Sequence, residues 1–257
     1  MRDSTLTNKS IKVSIALVMV LSSFTLFAQK KNVTHGNQQW LQYYNQSVLS
    51  KNFTLLTDGG FRWKNSFNEK SQYLVRTGLG YNLDANIRIA VGMGFLGFYN
   101  ENAIFKTEKR PYQEISIKNK IKTLKITHRF RSEQRFFSYP DDKNTAFNHR
   151  FRYRIMLDLP LFSLASSDTD KKVSITVGDE ILLNAGKEVI FNVFSQNRFL
   201  IGTSIPVNKD LNVSLLYYLD YSKSNSPNDY LQNNNVWLGI KHKLNFTKKS
   251  NQTELDP

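Results

Sequence analysis

The stretch Leu124–Leu159 reads LKITHRFRSEQRFFSYPDDKNTAFNHRFRYRIMLDL, and its alternation decides the fold. Successive side chains on a strand point to opposite faces. In the first half Leu124, Ile126, His128, Phe130 and Phe136 share one face, with Thr127, Arg129, Arg131, Glu133 and Arg135 on the other. In the second half Phe147, Phe151, Tyr153, Ile155, Leu157 and Leu159 oppose Arg150, Arg152, Arg154 and Asp158. The pattern predicts two long strands joined by a polar loop around Asp141-Asp142, each oily on one side and charged on the other. A soluble sandwich buries the oily face and leaves the charges to water. A membrane barrel turns the oily face to lipid and encloses the charges.

The rest of the chain repeats the pattern. Strands are predicted over Trp40–Ser50, Phe53–Lys64, Gln72–Asn82, Ile87–Tyr99 and Tyr112–Ile121, then Val173–Asn184, Gln196–Pro206, Leu211–Tyr221 and Val236–Phe246. Ile87–Tyr99 is the clearest, with Ile87, Ile89, Val91, Met93 and Phe95 opposing Arg88, Ala90, Gly92 and Gly94. Trp40–Ser50 does not reveal its facing. Most segments reach ten residues or more, whereas strands of globular domains average about five or six and a tilted membrane-crossing strand needs roughly nine to eleven. Length therefore selects a single antiparallel up-and-down transmembrane β-barrel of about 10–12 strands, all-β in class. Short connections near Lys51-Asn52, Asp84-Ala85, Lys122-Thr123 and Asn208-Lys209 alternate with long polar ones over 100–110, 138–145, 185–195 and 222–235. That is the rim asymmetry of outer-membrane barrels. The connection over 162–172 does not follow it. Eleven readable strands also clash with the even count usual in bacterial single-chain barrels.

Arg2, Lys9 and Lys12 precede an apolar run from Val13 to Phe27, then Phe27-Ala28-Gln29 and a polar stretch. This predicts a secretory signal peptide over 1–28, a polar lead-in over 29–39, the barrel over 40–246 and a polar tail over 247–257. The chain of 257 residues carries a formal charge of +14 and a pI near 9.8. Such a surplus calls for an anionic partner, and export directs that expectation away from nucleic acid and toward outer-membrane lipid or small anionic solutes. Without cysteine there are no disulfides, thiol nucleophiles or thiolate metal sites. Phenylalanine (18) and tyrosine (12) are plentiful, which suits strands and membrane-interface belts.

Hairpin register about Asp141-Asp142 brings Glu133 near Arg150, Arg131 near Arg152 and Arg129 near Arg154. Like charges directly opposite destabilise a sheet, so the arginines need acids from neighbouring strands. Glu114 and Glu180 fall at suitable levels. The expected lumen network is Glu114, Arg129, Arg131, Glu133, Arg135, Arg150, Arg152, Arg154, Glu180 and Arg198. It reads either as the packing of a narrow barrel's interior or as a constriction favouring anions. His128 and Ser132 lie about 13 Å apart along a strand, too far for a base to activate a nucleophile. His149 on the next strand could approach Ser132, without the context of a recognisable motif. No catalytic residue, metal site or cofactor motif is identified. An outer-membrane lipid-modifying enzyme and a soluble periplasmic ligand carrier are the competing readings.

The run His128-Arg129-Phe130-Arg131-Ser132-Glu133-Gln134-Arg135-Phe136, with Arg150-Phe151-Arg152-Tyr153-Arg154, Asp179-Glu180, Asn184 and Gln196-Asn197-Arg198, resembles domain-of-unknown-function family 2490. Phe61-Arg62 and Arg76 with Gly80-Tyr81 look like its N-terminal part. The resemblance implies an exported Gram-negative outer-membrane barrel and carries no activity with it.

Overall fold

The computed structural model describes residues 31–140, 142–163, 172–187, 189, 193–224 and 226–247. The segment 1–28 read as a signal peptide lies outside them, as does all of the tail beyond Thr247. The described chain is all strand: β1 (Asn32–Val48), β2 (Phe53–Lys64), β3 (Glu69–Asn82), β4 (Ile87–Asn100), β5 (Ala103–Ile121), β6 (Leu124–Tyr139), β7 (Asp142–Ser163), β8 (Lys172–Ala185), β9 (Phe194–Pro206), β10 (Leu211–Lys223) and β11 (Asp229–Asn245). Each pairs with its sequence neighbour, and β1 lies beside β11, so the sheet closes into a barrel of eleven strands.

The odd count has a geometric consequence at the seam. Trp40 of β1 packs on Trp237 of β11 at 5.5 Å between ring centroids. Further along, the Tyr43 hydroxyl meets His242 Nδ1 at 2.9 Å. At the end the Phe246 amide donates to the Val48 carbonyl at 3.0 Å. Both chains advance together, so β1 and β11 run parallel, while every other neighbouring pair is antiparallel. Eleven strands close without a missing or split strand.

Two boundaries differ from the sequence reading. Strand β1 begins at Asn32 rather than Trp40, so most of the polar lead-in is ladder. The connections read as long over 100–110, 138–145 and 222–235 are mostly strand as well. β4 and β5 meet in a turn at Glu101-Asn102, both residues at positive φ (49° and 65°) as tight hairpins require. A ladder bonds backbone to backbone and is indifferent to side-chain polarity. Polar sequence such as Lys106-Thr107-Glu108-Lys109-Arg110 therefore extends a strand where it was read as a loop.

Exposed apolar side chains stud the outward face, with Leu55, Val75, Val91, Ile115, Phe130, Phe151, Ile201, Leu215 and Val236 spread over β2–β7 and β9–β11. Aromatic side chains collect towards both ends of it. Phe61, Trp63, Phe67 and Tyr99 pack together near the β2–β3 turn, and Phe53 meets Tyr81 at 5.1 Å near the opposite rim. Phe53 and Trp63 share the outer face of β2; ten residues at about 3.3 Å each and a tilt of about 40° set the belts about 25 Å apart in height. Inward positions carry the opposite chemistry, and that interior is where a function must be sought.

Candidate functional site: the basic lumen

Antiparallel register fixes which charges meet inside the barrel. Across β6 and β7, Glu133 faces Arg150, Arg131 faces Arg152 and Arg129 faces Arg154. On the flanks Glu114 of β5 stands level with Arg131, and Glu180 of β8 stands level with Arg154 and with Arg198 of β9. These side chains sit at even positions of β5, β7, β8 and β9 and odd positions of β6, the set that alternation turns inward.

Glu180 takes hydrogen bonds from three arginines. It accepts from Arg129 Nη2 at 2.5 Å, from Arg152 Nη2 at 2.8 Å and from Arg198 Nη1 at 3.3 Å, so one carboxylate ties β6, β7, β8 and β9. Glu133 accepts from Arg150 at 2.5 Å and from Arg152 Nη1 at 2.7 Å; Arg152 bridges the two glutamates, a use to which the planar guanidinium is suited. Glu114 takes Nε and Nη2 of Arg131 at 2.8 and 2.5 Å. Arg135 binds Glu108 on β5, which also holds Arg110 at 2.6 Å. Glu133 is fully buried, and Glu114, Glu180, Arg129, Arg131, Arg150 and Arg152 are each less than a tenth exposed.

The ten residues of the expected network all join this interior, with one distinction. Arg154 finds no carboxylate within ion-pair distance among the described residues, although Glu180 and Glu114 lie within its electrostatic reach. The sequence reading missed other members. Glu108 and Arg110 fell in a stretch taken as loop, although the alternation of Lys106, Glu108 and Arg110 with Phe105, Thr107 and Lys109 continues the β5 period. Asp58 and Arg76 pair at 2.9 Å on β2 and β3, with Gln42 of β1 donating to the same carboxylate at 2.9 Å.

Aromatic and apolar groups fill the part of the lumen facing these ions. Trp40, Leu200, Leu216 and Tyr218 form a buried cluster, packed by Met156 and Trp237. Arg62 lies over the Trp40 ring at 3.5 Å, and Arg198 lies 5.6 Å from both Trp40 and Tyr218. Arg131 rests on Tyr112 at 4.4 Å. Gly78 and Gly92 leave the room Tyr112 occupies, since a Cβ at either position would collide with its ring or hydroxyl. Ions and rings together leave a narrow interior at mid-height. Toward the rim that holds the β5–β6 turn the inward side chains become exposed and cationic. Lys118, Lys125, Lys241 and Lys243 occupy inward positions there and are exposed, with Arg88 half-buried beside them. All five lie within a few residues of the strand ends at that rim, which places these cations around one mouth.

The polar groups considered for catalysis sit on the outer face. The Tyr153 hydroxyl and His128 Nδ1 are hydrogen-bonded at 2.9 Å, Ser132 Oγ accepts from the Gln134 amide at 3.5 Å, and His149 packs edge-on against Phe147. Ser132 is thus engaged with an amide and His128 with a phenol. No group of three or more His, Cys, Asp or Glu suited to a metal ion occurs among the described residues.

Among solved structures, the NanC porin is similar over 81% of this chain and 99% of its own, at 13% identity and a TM-score of 0.46. The siderophore receptor PirA from Pseudomonas aeruginosa is similar over 68% of this chain, at 13% identity and a TM-score of 0.33; the chain spans about a third of that receptor (33%). No curated protein matches the chain in sequence. The family model described as Protein of unknown function (DUF2490) matches residues 37–231, and the chain belongs to that family.

Proposed function

We propose that this family member is an outer-membrane β-barrel with a narrow, passive lumen that favours small anions. The observation that carries the reading is the sign of the enclosed charge. Arg62, Arg76, Arg88, Arg110, Arg129, Arg131, Arg135, Arg150, Arg152, Arg154 and Arg198 turn inward against Asp58, Glu108, Glu114, Glu133, Asp158, Glu180 and Asp220, and the lysine-lined mouth adds to the excess. A ring of arginine and lysine side chains in a low-dielectric wall lowers the energy of an anion there and raises that of a cation. The membrane location is supported by a closed barrel whose exposed face is apolar between two aromatic belts. A soluble protein rarely exposes so large an apolar surface. The same surface argues against the soluble carrier, and the outward engagement of Ser132 and His128 favours a passive role over lipid modification.

The test is the reversal potential of purified protein in a planar bilayer under a potassium chloride gradient. The expected result is small unitary steps with a reversal potential of the sign set by chloride. Cation-selective current, or failure of the purified protein to enter a bilayer, contradicts the reading.

A further inference from the structure

The anion-favouring reading leaves open which anion the lumen suits, and the β6–β7 ladder answers with a specific arrangement. Arg129 faces Arg154, and Arg131 faces Arg152 one inward position along, so four guanidinium-bearing side chains form a two-by-two block on one wall. Facing Cβ atoms in such pairs are about 5 Å apart, and successive inward positions are about 6–7 Å apart. Two carboxylates flank the block, Glu114 on β5 and Glu180 on β8. Glu133 is committed to Arg150 as well as to Arg152. Glu133 and Glu180 are each shared with an arginine outside the block, Arg150 and Arg198, so six arginines stand against three glutamates and the set lacks three negative charges.

Its donors are also short of acceptors. Arg129 Nε, Arg131 Nη1 and Arg154 Nε are buried and lack a hydrogen-bond partner among the described residues. The nearest carboxylate oxygens, Glu114 Oε2 for Arg129 and Glu133 Oε1 for Arg131, stand at 3.7 Å, beyond hydrogen-bond reach. Buried guanidinium donors left idle are costly, and an acceptor with several oxygens and two negative charges would relieve both deficits together. Access lies on the side of the Arg129–Arg154 pair, which is nearer the lysine-lined mouth than Arg131–Arg152; Arg154 is the least buried of the four, and Asp158 lies on the same strand between it and that mouth.

We infer that the Arg129–Arg131–Arg152–Arg154 block is a binding site for a doubly charged tetrahedral oxyanion, such as sulfate, hydrogen phosphate or a terminal phosphomonoester. The inference rests on the anion-favouring lumen and adds valence and place to it. Monovalent chloride, nitrate or a phospholipid phosphodiester brings one negative charge to a site that lacks three, so each relieves it less than a dianion does.

The test uses full-length protein purified in a non-ionic detergent, with thermal unfolding followed at constant ionic strength. Sodium sulfate or phosphate is titrated against sodium chloride, with dihexanoyl phosphatidylglycerol as the lipid-headgroup arm. Sulfate and phosphate should raise the midpoint saturably, at concentrations at least tenfold below those at which chloride or the short-chain lipid acts. Arg154→Gln removes a guanidinium that holds no carboxylate among the described residues, and it should weaken the sulfate effect at least tenfold. Lys109→Gln, exposed on the outer face of β5, should leave it unchanged. Sulfate acting no better than chloride overturns the inference without recourse to any variant. Equal protection by the phosphodiester lipid also overturns it, as does an unchanged response in Arg154→Gln. Anion-selective current without saturable sulfate binding would remove the site and keep the lumen reading. Saturable sulfate binding with cation-selective current would do the reverse.

Discussion

Arg129 and Arg154 stand directly opposite each other across the β6–β7 ladder, both turned into the lumen, where like charges repel. What holds them there comes from other strands. Glu180 on β8 takes Arg129 at 2.5 Å, and Glu114 on β5 faces the same pair from the other side. The barrel wall is therefore cross-linked inside by charge as well as along its ladders by hydrogen bonds. Acids are the scarcer component, so losing one carboxylate should cost more than losing one arginine.

Glu180→Gln tests that asymmetry. The substitution removes the negative charge that Arg129, Arg152 and Arg198 share in a buried setting and puts an amide NH2 in place of one acceptor oxygen, and breaking a buried pair in this way costs about 3–5 kcal/mol. The temperature at which the folded band gives way to the unfolded one on a semi-native gel should fall clearly for Glu180→Gln. It should fall far less for Arg154→Gln. Equal midpoints for the two variants would show that the network is not what braces the wall.

Val91 is more than half exposed near the middle of β4's outer row, between Ile89 and Met93. If lipid covers this face, Val91→Arg should reduce stability in vesicles by about 2–4 kcal/mol, as read from urea titration of the folded barrel. On a water-facing surface the same change would stay within about 0.5 kcal/mol.

Most of this architecture was legible in the sequence because a period of two survives any amount of tilt. Ile87 to Phe95 and Arg150 to Arg154 declare their faces without help. Strand ends were not legible. Lys106 to Arg110 and Asn233 to Asn235 lie in stretches polar enough to be read as loops, and only backbone pairing makes them strands. Hence Glu108 and Arg110 were absent from the expected network. Trp40 was illegible for a different reason: an indole is at home against lipid or in a packed interior, and its inward turn is set by contact with Tyr218 at 4.6 Å and with Arg62. The parallel seam was beyond the sequence altogether, since alternation gives facing and not strand direction at closure.

The seam gives a prediction of its own. The chain has no cysteine, so a pair introduced at Tyr43 and His242 has no background. A short bismaleimide should join the two in the folded barrel and shift its mobility on a denaturing gel. Cysteines at Tyr43 and Phe246 should react less, because Phe246 lies level with Val48. The opposite preference would mean that the barrel closes by some other pairing.

The most direct measurement asks what touches the outer face. Single cysteines at Phe151, Ile201 and Leu215, each carrying an environment-sensitive fluorophore, would be compared with one at Lys241 after folding into lipid vesicles. Nitroxide-bearing acyl chains should quench the first three and leave the fourth alone, while aqueous iodide should do the opposite. Iodide quenching at Phe151, Ile201 and Leu215 with no effect of the lipid nitroxide would contradict the account at its root.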